Sequence, residues 1–257
     1  MGIVTLTTDF GGHYIGILKA VIRGVAADAE ICELTSEIDS FDVKGGAFAL
    51  LSSYAFFPKG TVHMAVVDPG VGTARKAIAV KTRNYTFVGP DNGLLSLAAR
   101  QDGVESIREL DNPKLHRHPV DPTFHGRDIF APVAGYLAAG GGWQGVGGEV
   151  EGFADLEIVK SVGEGGRISC EVMFVDRFGN MTLTIAKGDV ELVGDVGIVF
   201  GKKKYRGRVV GTYDDGKRGL SILVGSAGYY EIAKRRGSAA HELHSRAGDL
   251  LTLVSKK

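Results

Sequence analysis

The chain is short of cysteine, proline and net charge, and each shortage removes a class of protein. Among 257 residues only Cys32 and Cys170 are cysteines. They are too few and too far apart for a disulfide framework or a thiolate zinc site, so a reducing cytoplasm is the expected compartment. Proline numbers 7 against 38 glycines with no G-X-Y period, which excludes a collagen-like chain. The 30 basic and 30 acidic residues cancel, and no basic surplus marks a nucleic-acid or anionic-membrane surface. No apolar run is long enough to span a bilayer, and the first residues, MGIVTL, have neither a basic n-region nor a signal-length apolar run, so no leader is expected.

Familiar cofactor signatures are missing too. No GxGxxG follows the first predicted strand, and there is no GxxxxGK[ST] loop or GxSxG elbow. Residues 140–145 spell GxGxxG, but they follow a predicted helix inside a glycine-rich run and read as a chance match. His116 and His118 form an HxH without an HExxH or an acidic ligand run, so no metal is expected.

What is present is a pattern of buried strands that end in carboxylates. The stretch 62–75, VHMAVVDPGVGTAR, reads as a buried strand delivering Asp68 into a Pro-Gly turn, with Arg75 close enough to fold back on it. Strands are also expected at 3–8, 31–34, 77–81, 86–88 and 106–110, and helices at 14–26, 43–56, 94–100 and 129–139. Asp39-Ser40-Phe41-Asp42 offers cap chemistry to the second helix, and Pro132 suits the first turn of the last. Strand–helix alternation over 1–140 predicts an α/β N-terminal domain, a mostly parallel central sheet flanked by helices.

A glycine-rich connector at 140–163 separates this domain, 1–150, from a second at 163–257. There the strand-like runs 168–175, 181–185, 196–200, 205–210, 220–224, 229–233 and 249–254 follow closely on one another. They predict a smaller all-β domain, an antiparallel barrel or sandwich.

Four polar clusters sit where strands end or helices begin: Asp9, Asp68 with Arg75, Asp91-Asn92, and His125 with Arg127 and Asp128. An Asp after a strand is an ordinary turn former, and an Asp–Arg pair an ordinary ion pair. Co-location is what would make them a site, because a parallel sheet sets its strand carboxyl ends along one edge.

Five motifs occur in order: Thr8-Asp9-Phe10-Gly11; Val67-Asp68-Pro69-Gly70-Val71-Gly72-Thr73; Gly89-Pro90-Asp91-Asn92-Gly93; the segment 123–132, TFHGRDIFAP; and Asp176-Arg177-Phe178-Gly179-Asn180. From about residue 3 to 254 the chain resembles the S-adenosyl-L-methionine hydroxide adenosyltransferases, homologues of the bacterial fluorinase and chlorinase. The resemblance implies cleavage of S-adenosyl-L-methionine by water to adenosine and L-methionine, without a cofactor. It casts Asp68, Arg75 and His125 as the water-activating trio, with the final proton acceptor open between Asp68 and His125.

By the same resemblance Asp9 accepts the ribose hydroxyls and Phe41 stands where the fluorinase has a Trp. Asp176 holds the methionine ammonium, and Asn180 bonds the adenine or the methionine end. Phe178 and Tyr213 line the adenine, while Ser238 and Ala239 belong to a loop at its edge. Ser226 matches a carboxylate-binding Ser, but Ala227 replaces an Arg, which leaves the carboxylate's partner undetermined. The halogenating relatives carry Tyr at position 68 and Ser at 126, so Asp68 and Gly126 argue for water over halide. The implied assembly is a homotrimer with sites at subunit interfaces, with no nucleic-acid or membrane partner. A non-catalytic adenosine-binding module and a halogenase are the alternatives.

Overall fold

The computed structural model describes residues 2–216 and 219–255, which divide into two compact units, Met1–Leu156 and Glu157–Lys257. The first begins with strand β1 (Ile3–Thr8), helix α1 (His13–Val25), strand β2 (Glu30–Thr35), helix α2 (Val43–Leu51) and strand β3 (Val62–Val66). Then come strands β4 (Ala77–Thr82) and β5 (Thr86–Pro90), helix α3 (Ser96–Asp102), strand β6 (Val104–Glu109) and helix α4 (Ala131–Ala138).

The sheet order is β2-β1-β3-β5-β4-β6. Strands β2, β1, β3 and β5 run parallel, while β4 is antiparallel to both β5 and β6. β3 is buried along its whole length, as expected for a central strand covered on both faces. α1 turns Ile15, Leu18 and Ile22 inward at helical spacing. It lies close to α4 because Gly135 leaves room: a Cβ there would come within 3.0 Å of the Ile22 carbonyl.

Helices α2 and α3 differ from the sequence expectation for local reasons. α2 stops at Leu51 instead of running to 56, where the Ser52 hydroxyl bonds back to the Ala49 carbonyl at 3.1 Å. A serine that competes for backbone acceptors weakens a helix, and a 3₁₀ turn, Tyr54–Phe56, follows. α3 starts at Ser96 rather than 94 because Asn92 ties the turn before it, accepting from the Leu94 amide and donating to the Val67 carbonyl.

The second unit contains strands β7 (Lys160–Val162), β8 (Arg167–Val175), β9 (Met181–Ala186), β10 (Asp195–Phe200), β11 (Lys203–Val209), β12 (Leu220–Val224) and β13 (Tyr229–Lys234). Helix α5 (Ala239–Leu243) and strand β14 (Leu250–Ser255) complete it. The order is β14-β10-β11-β12-β13-β9-β8-β7, and a β14–β8 pairing closes the sheet into a barrel. Alternate residues such as Cys170, Val172, Leu183, Ile198, Ile222 and Leu253 fill it. Among the described residues all its pairings are antiparallel but one: β11 and β12 are parallel, joined by a long connection rather than a hairpin.

Candidate active site

Strand order decides where the first cavity lies. β1 connects outward to β2, and the chain then crosses to β3 on the other flank of β1. The sheet therefore has a switch point between β1 and β3, and in open α/β sheets the crevice outside such strand ends is where ligands bind. Asp9 follows β1 and Asp68 follows β3. Both line a cavity of about 380 Å³, together with Phe41, His125, Gly126 and the aromatic rings of Phe10, Tyr14 and Phe124.

The turn after β3 is built to bring Arg75 back. The Val71 amide donates to the Asp68 carbonyl and the Thr73 amide to Gly70, each at 3.2 Å. The Thr73 hydroxyl also bonds the Gly70 carbonyl at 2.7 Å, and the Arg75 amide donates to Thr73 Oγ1. Arg75 Nε then reaches both Asp68 oxygens, at 2.9 and 3.1 Å, and Nη2 bonds Oδ2 as well. The ion pair is largely buried, with side-chain exposures of 10% for Arg75 and 6% for Asp68, and the guanidinium lies 5.3 Å from the Phe130 ring centroid.

Gly72 brings in the third member. Its φ is +76°, and a Cβ there would stand 2.5 Å from the Pro122 carbonyl oxygen. Only glycine permits both the left-handed backbone and this approach, which seats the 121–126 loop against the β3 turn. The loop is also held from inside by Asp128, whose buried carboxylate accepts from Arg127 Nε and Nη2 at 2.7 Å, from the Asp121 amide at 2.9 Å and from Arg117 at 3.3 Å. Burial alone would raise the Asp128 pKa, but these bonds outweigh it and leave it below the usual carboxylate value. His125 stands just before a single π turn, Gly126–Phe130, that leads into α4.

Arg75 Nη2 lies 3.1 Å from His125 Nδ1. A guanidinium has no acceptor, so Nδ1 must accept, and the imidazole is neutral with its proton on Nε2. Burial and the adjacent Arg75 charge push the His125 pKa below the ordinary imidazole value. Asp9 accepts the Phe41 amide through Oδ2 at 2.8 Å. Phe41 itself adopts φ +69° with its ring 71% exposed, an unusual conformation for a bulky residue and one that cavities and ligand sites often hold.

The second unit has its own cavity, of about 600 Å³, lined by Asp176, Phe178, Asn180 and Tyr213 along with Lys234, Arg235 and Arg236. Burial pushes the Tyr213 phenol up to about 12, helped by its hydrogen bond to Glu231. Ser238 caps α5, accepting the His241 amide at 3.0 Å, and leads directly into Ala239; both adjoin this cavity's Gly237 without lining it. Ser226 lies in the exposed turn after β12 and is not among the lining residues. His116 and His118 bond the Leu110 and Pro113 carbonyls, and no group of three metal-ligating side chains occurs among the described residues.

Sequence reasoning passed over several lining residues. Phe10 and Phe124 stand inside the motifs Thr8–Gly11 and 123–132, which by themselves assign them no role. With Tyr14 they form an edge-to-face trio with centroids 5.5 to 6.2 Å apart. The basic run at 234–236 was visible but attached to nothing.

Residues 4–147 match the SAM hydroxide adenosyltransferase N-terminal domain and residues 170–252 its C-terminal domain. The chain belongs to the SAM hydroxide adenosyltransferase family. A relative from Thermus thermophilus, named (R)-S-adenosyl-L-methionine hydrolase, is 37% identical over 95% of this chain and 96% of its own. An Actinoplanes protein named fluorinase is more distant, 25% identical over 98% of this chain and 97% of its own. An uncharacterized conserved protein from Thermotoga maritima has a solved structure that superposes with a TM-score of 0.88. It is 38% identical and covers 98% of this chain and 99% of that one. Within the adenosyltransferase family, then, this chain places Asp68, Arg75 and His125 in one hydrogen-bonded cluster at the sheet's switch point.

Proposed function

We propose that this chain hydrolyses S-adenosyl-L-methionine at C5′, releasing adenosine, L-methionine and a proton. The observation that carries this reading is the Asp68–Arg75–His125 cluster, opening on the same cavity as Asp9. The names of the adenosyltransferase relatives support it and point to the R configuration at sulfur. The sulfonium is its own leaving group, so the protein's task is to hold water in line with the C5′–S bond. His125 Nε2–H donates to the water oxygen. Asp68 takes the proton: the His125 Nδ1 lone pair is engaged by Arg75, while Asp68 Oδ1 retains acceptor capacity. The C5′–S electron pair passes to sulfur. The reaction draws on no metal or cofactor.

Asp9 would accept the ribose hydroxyls beside Phe41. Asp176 would receive the ammonium, and Phe178, Asn180 and Tyr213 would surround the adenine, with Ser238 and Ala239 at its edge. Ser226 is a further candidate at the methionine end. Gly126 supports water over halide because it lacks the serine hydroxyl expected at a halide site, and a Cβ there would sit 3.3 Å from the Phe124 ring. The proposed form is a cytoplasmic homotrimer with sites completed by neighbouring subunits; exposed Phe41 and Phe178 are surfaces such an assembly would cover.

Chromatography of reactions with each sulfonium epimer, with and without halide, tests the reading. Adenosine and methionine are the expected products. In Asp68→Ala, turnover should fall by about 10²- to 10⁴-fold, as for loss of a general base, while substrate binding stays within a few-fold. A 5′-halo-adenosine, tight binding without turnover, or unaffected turnover in the variant would each overturn it.

A further inference from the structure

The amino-acid end of the proposed substrate carries an ammonium, assigned to Asp176, and a carboxylate, for which the one candidate so far, Ser226, does not line the cavity of Asp176. Asp176 is partly committed internally. Its Oδ1 accepts the Phe178 and Asn180 amides at 2.9 and 2.8 Å, and its Oδ2 accepts Asn180 Nδ2 at 2.9 Å. One acceptor site on Oδ2 remains for a cation. Ala227 offers the carboxylate no side-chain donor.

The same cavity is lined by three consecutive cations in a tight turn. β13 ends at Lys234, and the Gly237 amide donates to the Lys234 carbonyl at 3.1 Å, closing a four-residue turn. Arg236 occupies the third position of that turn with φ +52°. Glycine or asparagine fills this slot with least strain, so an arginine there needs a reason.

Packing and internal pairing supply none. Lys234 pairs with Glu242, and Arg235 Nε bonds Asp214 Oδ1 at 2.6 Å. Among the described residues Arg236 makes no ion pair or hydrogen bond through its guanidinium, and it is exposed. A strained backbone thus holds an uncommitted, permanently charged fork on the wall of a cavity that also holds Asp176.

We infer that Arg236 binds the α-carboxylate of the substrate's amino-acid end, so that Asp176 and Arg236 together recognise a zwitterion. This assignment rests on the S-adenosyl-L-methionine reading. A guanidinium suits the task because its parallel N–H groups match both carboxylate oxygens.

The test measures equilibrium binding to the full-length Asp68→Ala protein, with S-adenosyl-L-methionine and with its decarboxylated analogue as probes. The analogue keeps the sulfonium and the amine but lacks the carboxylate. The parent should prefer the carboxylate-bearing ligand at least tenfold. Adding Arg236→Gln should erase that preference and leave the analogue's affinity within twofold. Arg236→Lys should keep part of the preference. Arg236→Gly relieves the left-handed backbone, so its melting temperature should hold or rise while the preference is lost, which a purely structural arginine would not produce. Unchanged affinity in the Gln and Gly variants, or equal loss for both ligands, would overturn the assignment alone. Failure of the parent to bind either ligand would overturn the substrate reading and the assignment with it.

Discussion

Donor and acceptor inventories at single residues decide more here than residue identity does. Asp68 and His125 look equally able to take a proton until Arg75 is placed between them. Because arginine only donates, its contact with Nδ1 makes His125 a neutral ring that presents an N–H to the cavity. Protonating that ring would destroy the Nδ1 acceptor and set a second positive charge beside Arg75. Since the folded protein lowers this pKa, the neutral form persists to lower pH than in a free imidazole. An NMR titration of the His125 ring should therefore give a midpoint below about 6.5. A midpoint above that value would contradict the bond pattern. The carboxylates, the arginine and the imidazole could be named from motifs. The tautomer, the aromatic trio and Arg236 could not, because each depends on what stands nearby in space.

Turns rather than helices and strands do the positioning at the scale of elements. The strands around Asp9 and Asp68 and the turn residues after them were legible from apolar runs and Pro-Gly punctuation. The reach of Gly72 was not, since its second constraint is the Pro122 carbonyl, fifty residues further along. Gly72→Ala should cost about 1–2 kcal/mol from the left-handed backbone alone, plus the displacement of the 121–126 loop. Gly12→Ala is the control: its φ is +64°, but nothing lies within 4 Å of the added Cβ. Both variants should lose stability by thermal denaturation. Turnover should drop further in Gly72→Ala, because the Arg75–His125 bond depends on that loop. Helix ends were harder to place, as at Ser52 and Asn92, where side chains compete for backbone groups.

For the whole molecule, the α/β sheet and the β-rich barrel follow from strand–helix alternation and then closely spaced strands. The parallel β11–β12 pair departs from an all-antiparallel barrel, because pairing partners are chosen across the fold. The core of the first unit holds one titratable group at a cost. His63 is fully buried on β3, with Nδ1 2.8 Å from Thr5 Oγ1, and desolvation lowers its pKa to about 4. The unfolded chain binds this proton near 6.5 and the folded one does not. Stability is therefore full above about 6.5 and is lost as pH falls towards 4, by about 3 kcal/mol at the limit. Denaturation followed by fluorescence of the single tryptophan, Trp143, reports on this unit. His63→Phe should flatten the loss between pH 6.5 and 4.5, and an equally steep loss in the variant would place the acid sensitivity elsewhere.

By itself the sequence determined which chemistry is available: carboxylates at the ends of buried strands, an arginine one turn later, an imidazole in a polar loop, and two kinds of secondary structure. These are local properties, set by side-chain period and turn residues over a few positions. The tertiary structure decided which of them meet. Strand order sets β1 beside β3, so Asp9 and Asp68 share one edge. A single glycine approach seats His125 on Arg75, and a strained turn directs Arg236 to the cavity of Asp176. Such meetings depend on hydrogen-bond register and packing between distant segments, whose free energy no local window of sequence contains.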